Sequence, residues 1–218
     1  MQQKNELIKF CHLVHQAGYV AATDGNLSLR SPDGTIFITA SGKRKGDITQ
    51  EDICHCRSDG ELLFSKNKYS TESKLHFHLY RHRPEINAVI HCHPPVATAF
   101  ASSNKSLDLP ILPEIILTLG RIPLCKYATP STDALPESLN DAIRYANVFL
   151  LQNHGAVAIG KTIQEAYNRM EKLEHYAKVM LNAELLGGAK PLSREQLDEL
   201  YRIAPDVYGI HIDAGNRY

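Results

Sequence analysis

A chain of 218 residues can bury one sizeable core, and a prior of roughly one domain per 150 residues makes residues 1–218 a single domain. Basic and acidic residues number 24 each, which excludes the basic field that nucleic acid or an anionic membrane would need and leaves an anionic substrate to be held by a few local groups. Five cysteines without a Cys-x-x-Cys, no signal peptide and no long apolar stretch point to a reducing cytoplasm and to no membrane partner.

Residues 5–17 carry apolar side chains at helical spacing (Leu7, Ile8, Cys11, Val14) and predict an amphipathic helix ended by Gly18. Residues 26–30 and 35–39 alternate and are joined by Pro32-Asp33-Gly34, which predicts a β-hairpin. It delivers the chain to Ser41-Gly42 and the basic run Lys43-Arg44-Lys45. Small-residue loops of this kind can turn backbone amides toward a phosphate, although such pairs also occur as plain turns, and the basic run reads first as a solvated face. After a helical turn near residues 50–53 comes Cys54-His55-Cys56. On an alternating strand the two thiols face away from the imidazole, so this triplet is not a chelate.

Ser70 and Thr71 are both suitable N-caps for a helix running to about residue 82, where Arg83-Pro84 closes it. A helix start with two hydroxyls is an anion seat, and Glu72 in the first turn is favoured by the dipole. That placement alone accounts for Glu72, as does a role as acid or base beside a bound phosphate. His76 lies one turn on along the same face, where a hydrogen bond to Glu72, support of a metal ligand and simple packing all fit.

The apolar run at 87–93 ends in His91-Cys92-His93 before a double proline, the pattern of a buried strand that stops where Pro94 cannot donate to the ladder. Side chains at i and i+2 share a face, so His91 and His93 form either a chelating pair, with Cys92 turned away, or two core histidines. A short helix follows at 95–101, then a Leu-, Ile- and Pro-rich segment in which Glu114 reads as a buried, paired carboxylate or as a group reaching a neighbouring subunit. Residues 135–145 predict another helix with Pro136 near its start, and residues 148–159 read as strand, turn, strand with His154-Gly155 at the bend. Thr162-x-x-Glu165 is a capping box opening the longest helix, whose apolar stripe is core or subunit interface. A last helix at 193–203 leaves a tail bearing Tyr208, His211 and Tyr218, which one chain gives little reason to order.

Taken together, Gly25-Asn26-Leu27-Ser28, Ser41-Gly42, Ser70-Thr71-Glu72, His91-Cys92-His93 and Asn153-His154-Gly155 form an ordered set. By these motifs the sequence resembles the class II aldolase and adducin-head superfamily, and within it the L-fuculose-phosphate aldolase branch, over roughly the first 190 residues. The resemblance implies an α/β fold, three-layer α/β/α around a mostly antiparallel sheet, assembled as a homotetramer with active sites between subunits. By position, His91, His93 and His154 would bind Zn2+, or another divalent ion such as Mn2+ or Co2+. Glu72 would be the catalytic carboxylate and sometimes a fourth ligand, and Asn26, Ser41, Gly42, Ser70 and Thr71 would hold the phosphate of a phosphorylated sugar. The family has Thr-Gly where this chain has Ser41-Gly42, and often Ser-Ser-Glu where it has Ser70-Thr71-Glu72; both changes keep the hydroxyl and the amide. A tyrosine that fuculose-phosphate aldolases carry near positions 112–113 is absent, which opens the question of the sugar. The implied reaction is reversible cleavage of a ketose 1-phosphate to dihydroxyacetone phosphate and a short aldehyde. A methylthioribulose-1-phosphate dehydratase and a pentulose-phosphate 4-epimerase would use the same groups, while a non-catalytic adducin-type scaffold would be expected to have lost the ligands that are present here.

Overall fold

The computed structural model describes residues 2–218. Helix α1 (Gln2–Gln16) buries Leu7, Cys11 and Val14 of the expected stripe and adds Phe10, while Ile8 is only partly buried. The chain then forms the hairpin β1 (Asn26–Arg30) and β2 (Ile36–Thr39), a 3-10 turn, and strands β3 (Ile53–Cys56) and β4 (Leu62–Phe64). After α2 (Ser73–His82) come β5 (Ala88–Cys92), α3 (Pro95–Ser102), α4 (Pro113–Thr118), β6 (Leu124–Cys125) and α5 (Ala134–Glu137). The hairpin β7 (Val148–Leu151) and β8 (Gly155–Gly160), α6 (Ile163–Leu185) and α7 (Arg194–Ile203) complete the order.

One eight-stranded sheet runs β4-β3-β2-β1-β5-β8-β7-β6, with every pair antiparallel except β6 and β7. Successive side chains of a strand point to opposite faces, and both faces are covered. On one side Leu27, Leu29, Ile90, Leu150 and Ala158 pack with Leu7 and Phe10 of α1, Phe100 of α3 and Met170 and Leu173 of α6. On the other, Ile36, Ile38, Val89, Phe149 and Val157 pack with Leu75 and Leu79 of α2 and with Leu135 and Leu139. The result is the three-layer α/β/α arrangement around a mostly antiparallel sheet. Central β5 is buried at all five positions, which is why it reads as a continuous apolar run.

Several local expectations change. Helix α2 starts at Ser73, with Glu72 as its N-cap residue, because Ser70 and Thr71 belong to a turn before it: Ser70 Oγ accepts from the Glu72 amide at 3.3 Å and the Ser70 carbonyl from the Ser73 amide at 3.0 Å. The helix expected at 135–145 regularises only over α5. Beyond it, bonds three residues apart (Asn140 to Glu137, Ala142 to Leu139) mix with four-residue ones (Ile143 to Leu139), so the coil stays wound and amphipathic without becoming a regular helix. Glu114 is exposed rather than buried. The tail is ordered: Asn216 donates to the Leu119 carbonyl at 3.1 Å and accepts from the Arg121 amide at 2.9 Å, while the Tyr218 hydroxyl donates to the Gly120 carbonyl at 2.9 Å. Tyr208 and His211 on the same tail stay exposed. Among the described residues no helix is long and apolar enough to cross a membrane.

Candidate active site

Strand β5 ends the buried layer by presenting His91 toward the α2 side, and His93 follows one residue past the strand, its amide donating to the Tyr19 carbonyl at 2.8 Å. Cys92, between them, packs into the opposite core. The neighbouring strand β8 pairs Val157 with His91 and Ala156 with Cys92, so the preceding turn sets His154 beside the pair. That turn has little room. Asn153 takes a positive φ of 56°, and a Cβ on Gly155 would stand 2.5 Å from His93 Cδ2 and 2.6 Å from the Cys92 carbonyl. Ligand atoms of His91, His93 and His154 consequently lie within 4.8 Å of one another, the one such group among the described residues.

The fourth member comes from the start of α2. Glu72 Oε1 lies 3.1 Å from His154 Nε2, and its Oε2 lies 3.4 Å from His91 Nε2. His91 Nδ1 donates to the Ala156 carbonyl at 3.0 Å, which leaves Nε2 as a lone pair aimed at His93 Nε2, 3.2 Å away. His154 Nδ1 is buried without a hydrogen-bond partner, and its Nε2 faces the Glu72 carboxylate, a pairing that a cation bound between them would take over. Three imidazoles and a carboxylate converging in this way suit a divalent cation such as zinc.

Electrostatics agree. Burial disfavours the imidazolium and, against the pull of Glu72, keeps His91 below the usual histidine range; burial and the neighbouring His154 do the same to His93. Burial alone would raise the Glu72 carboxyl, but the hydrogen bond from His154, the charge of His91 and His154 and the Asn26 amide outweigh it and hold Glu72 below the usual carboxylate range. A carboxylate that stays anionic, and imidazoles at His91 and His93 that give up their protons readily, are what ligation requires.

A cavity of about 310 Å³, within the range that accommodates small ligands, opens over this group. Asn26, Ser41, Gly42, Ser70, Thr71, Glu72 and His93 all line it, so residues spread over nearly 70 positions of sequence meet around one space. His91 and His154 reach it through Glu72 and His93. The Ser41 amide is already spent on the Lys68 carbonyl at 2.9 Å, which leaves its hydroxyl and the loop beyond it to face a ligand.

Some participants were not evident in the sequence. Asp24 lines the cavity, and its Oδ2 stands 3.8 Å from His93 Nδ1. Lys45, expected on a solvated face, is almost wholly buried; it donates to the Thr23 carbonyl at 2.9 Å and the Lys43 carbonyl at 2.7 Å, tying together two loops that wall the cavity. Ser28 and Tyr80 lie behind Asn26 and His76. A signal for them exists: Asn26 and Ser28 are i, i+2 on a strand, and Glu72, His76 and Tyr80 recur every four residues, so each set forms one polar stripe. Cys54 and Cys56 are free, buried thiols, while His55 stacks on Phe37 with centroids 4.4 Å apart, and the triplet makes no site.

A profile of the Class II Aldolase and Adducin N-terminal domain family matches residues 5–181. An L-fuculose phosphate aldolase of Methanococcus vannielii is 36% identical over 174 residues, 80% of this chain and 93% of that one. A 3-oxo-tetronate 4-phosphate decarboxylase of Escherichia coli K12 is 33% identical over 181 residues, 81% of this chain and 85% of that one. Among solved structures, an L-fuculose 1-phosphate aldolase superposes with a TM-score of 0.83 at 28% identity, covering 92% of this chain and 94% of that one.

Proposed function

The chain belongs to the class II aldolase and adducin family, whose enzymes are metal-dependent lyases acting on phosphorylated sugars, and on that premise we propose that it is a zinc-dependent aldolase cleaving a ketose 1-phosphate to dihydroxyacetone phosphate and a short aldehyde. The observation that carries this reading is the convergence of His91, His93, His154 and Glu72 at the floor of a cavity walled by Ser41, Gly42, Ser70 and Thr71. A non-catalytic scaffold needs no such pairing of a metal-ligand set with an anion seat. The unbroken eight-stranded sheet supports taking residues 1–218 as one domain of this kind.

His91, His93 and His154 would hold the ion, with Glu72 as a fourth ligand when no substrate is present. When bound, such an ion polarises the substrate carbonyl and stabilises the negative charge that develops as the carbon–carbon bond breaks. The protein's own groups do the rest. Ser41, Ser70, Thr71 and the Gly42 loop seat the phosphate and so fix the position of the reacting carbons. Glu72 moves the proton at C3 of the dihydroxyacetone phosphate half, in either direction. Neutral imidazole ligands leave the ion its full charge.

A second reading is decarboxylation of a 3-oxo-tetronate 4-phosphate, favoured by the E. coli relative, while the absence of a tyrosine near Leu112-Pro113 leaves the sugar of the aldolase reading open. Both reactions break a carbon–carbon bond next to a carbonyl, with carbon dioxide rather than an aldehyde as the departing fragment. Incubating zinc-loaded protein with dihydroxyacetone phosphate and a panel of short aldehydes tests the proposal: condensation supports it. Carbon dioxide release from a 3-oxo acid phosphate, with no condensation, replaces it by the second reading, and loss of water from a single ketose phosphate points to a dehydratase. We further propose a homotetramer in the cytoplasm. Leu181, Leu185 and Leu186 of α6 and its end are exposed apolar groups that subunit contact would cover, and five unpaired cysteines suit a reducing compartment. Light scattering gives the mass.

A further inference from the structure

Behind Glu72 lies a buried line of polar groups that the proposed chemistry leaves without a task. Asn26 Nδ2 donates to Glu72 Oε2 at 3.0 Å, with Ser70 Oγ at 3.5 Å as its other neighbour. Asn26 Oδ1 is 2.5 Å from His76 Nε2, His76 Nδ1 is 2.6 Å from Ser28 Oγ, and Ser28 Oγ is 2.8 Å from the Tyr80 hydroxyl. His76 and Ser28 are fully buried, and Asn26 and Tyr80 nearly so.

With Glu72 anionic and the buried His76 neutral, the chemistry of each group permits one arrangement of protons. An anionic carboxylate only accepts, so the amide nitrogen of Asn26 must face Glu72 and its oxygen must face His76. His76 therefore carries its proton on Nε2 and accepts at Nδ1. Ser28 donates to that nitrogen, so its oxygen accepts from the Tyr80 hydroxyl, whose other acceptor, the Asn87 carbonyl, stands farther off at 3.4 Å. Reversing any link would set two donors or two acceptors face to face in a site closed to water, where an unmade hydrogen bond is costly.

We infer that Tyr80, Ser28, His76 and Asn26 form a one-way hydrogen-bond chain that aims Glu72, which makes them positioning residues for its proton transfer. The inference rests on the reading of Glu72 as the carboxylate that moves the proton. Asn26 also lines the cavity, and the second proton on its Nδ2, with Ser70 Oγ 3.5 Å away, remains for a ligand there, so it can orient the carboxylate and still face the phosphate. The two polar stripes meet for this purpose: Asn26 and Ser28 from β1, and His76 and Tyr80 from α2, one and two turns beyond Glu72.

Two measurements on the zinc-loaded protein test it. Long-range proton–nitrogen correlation of the histidine side chains should show His76 neutral, with the proton on Nε2; a proton on Nδ1 overturns the chain whatever the enzyme catalyses. In the ketose 1-phosphate cleavage assay, His76→Ala should lower kcat about 10–100-fold at full zinc content with KM within about twofold, the range typical of groups that orient ligands and catalytic side chains. His76→Gln, which can still donate to Asn26 and accept from Ser28, should recover much of that loss. Equal losses in the two variants, or a raised KM at unchanged kcat, would overturn the proposal. Should His76→Ala fail to fold, Tyr80→Phe removes only the outermost proton and should lower kcat a few-fold with KM unchanged; unchanged kcat counts against the chain. No turnover by the wild type overturns the reaction instead, and the His76 tautomer then decides the positioning chain alone.

Discussion

Strands β1 and β5 have two faces that do different work. Toward α1 and α6 they present Leu27, Leu29, Ala88, Ile90 and Cys92, all packed into one apolar cluster. Toward α2 the same strands present Asn26, Ser28 and His91, each almost free of solvent and each holding a specific polar partner. Burying a methylene is favourable wherever it lands, whereas burying an amide or imidazole breaks even only if every donor meets an acceptor. The apolar face therefore tolerates repacking, and the polar face tolerates very little. Damage to the first should appear as lost stability, and damage to the second as lost chemistry in a molecule that remains folded.

The largest effect is expected at the end of the polar face. His93→Ala should release the metal and abolish turnover while the circular dichroism spectrum persists; undiminished zinc by elemental analysis would remove His93 from the ligand set. Glu72→Gln should keep zinc and the fold and lower kcat by about 10²–10⁴, the usual range for removing a general acid or base. A zinc-replete and fully active Glu72→Gln enzyme would sink the assignment. On the opposite face, Leu27→Ala should cost about 2–5 kcal/mol of stability in urea titrations, with turnover per folded molecule unchanged. A drop in kcat for this variant would mean that the two faces are coupled. Gly155→Ala tests the seam between them: the new Cβ must push against both the His93 ring and the Cys92 carbonyl, so zinc affinity should fall about 10–100-fold and the melting temperature should fall with it.

Acid provides the gentlest test. Burial, opposed by the charge of Glu72, pushes His76 from the usual 6.5 to about 3. The unfolded chain thus binds this proton below pH 6.5 while the folded metal-free protein refuses it until about pH 3. The corresponding stability is complete above pH 6.5 and is lost as pH falls from 6.5 toward 3, by at most about 1.4 kcal/mol per pH unit. His76→Gln should remove one proton's worth of that slope in urea titrations of metal-free protein. An unchanged slope would show that His76 is not held neutral.

Much of this was legible in the chain. Period-two and period-3.6 patterns located the strands and long helices, and the ligand pair followed from His91 and His93 lying two apart on a strand. Boundaries set by side-chain bonds to the backbone were less legible: Ser70 looks like a cap and instead closes a turn, because its hydroxyl binds the Glu72 amide two residues on. Lys45 was misplaced for a related reason. Its charge suggested solvent, but two carbonyls from separate loops surround its ammonium, and burial lowers its proton affinity without removing those partners.

By itself the sequence determined the residue types of the site, their order and the elements that carry them, since hydrophobic period and turn chemistry act over a few neighbouring residues. Only the tertiary structure decided which polar groups meet. Asn26 reaches Glu72 across 46 positions, and His154 reaches the same carboxylate from a separate hairpin. No local signal encodes those encounters. They follow from the pairing of β1 with β5 and of β5 with β8, which places Asn26, Ser28 and His91, together with the turn that carries His154, against one end of α2.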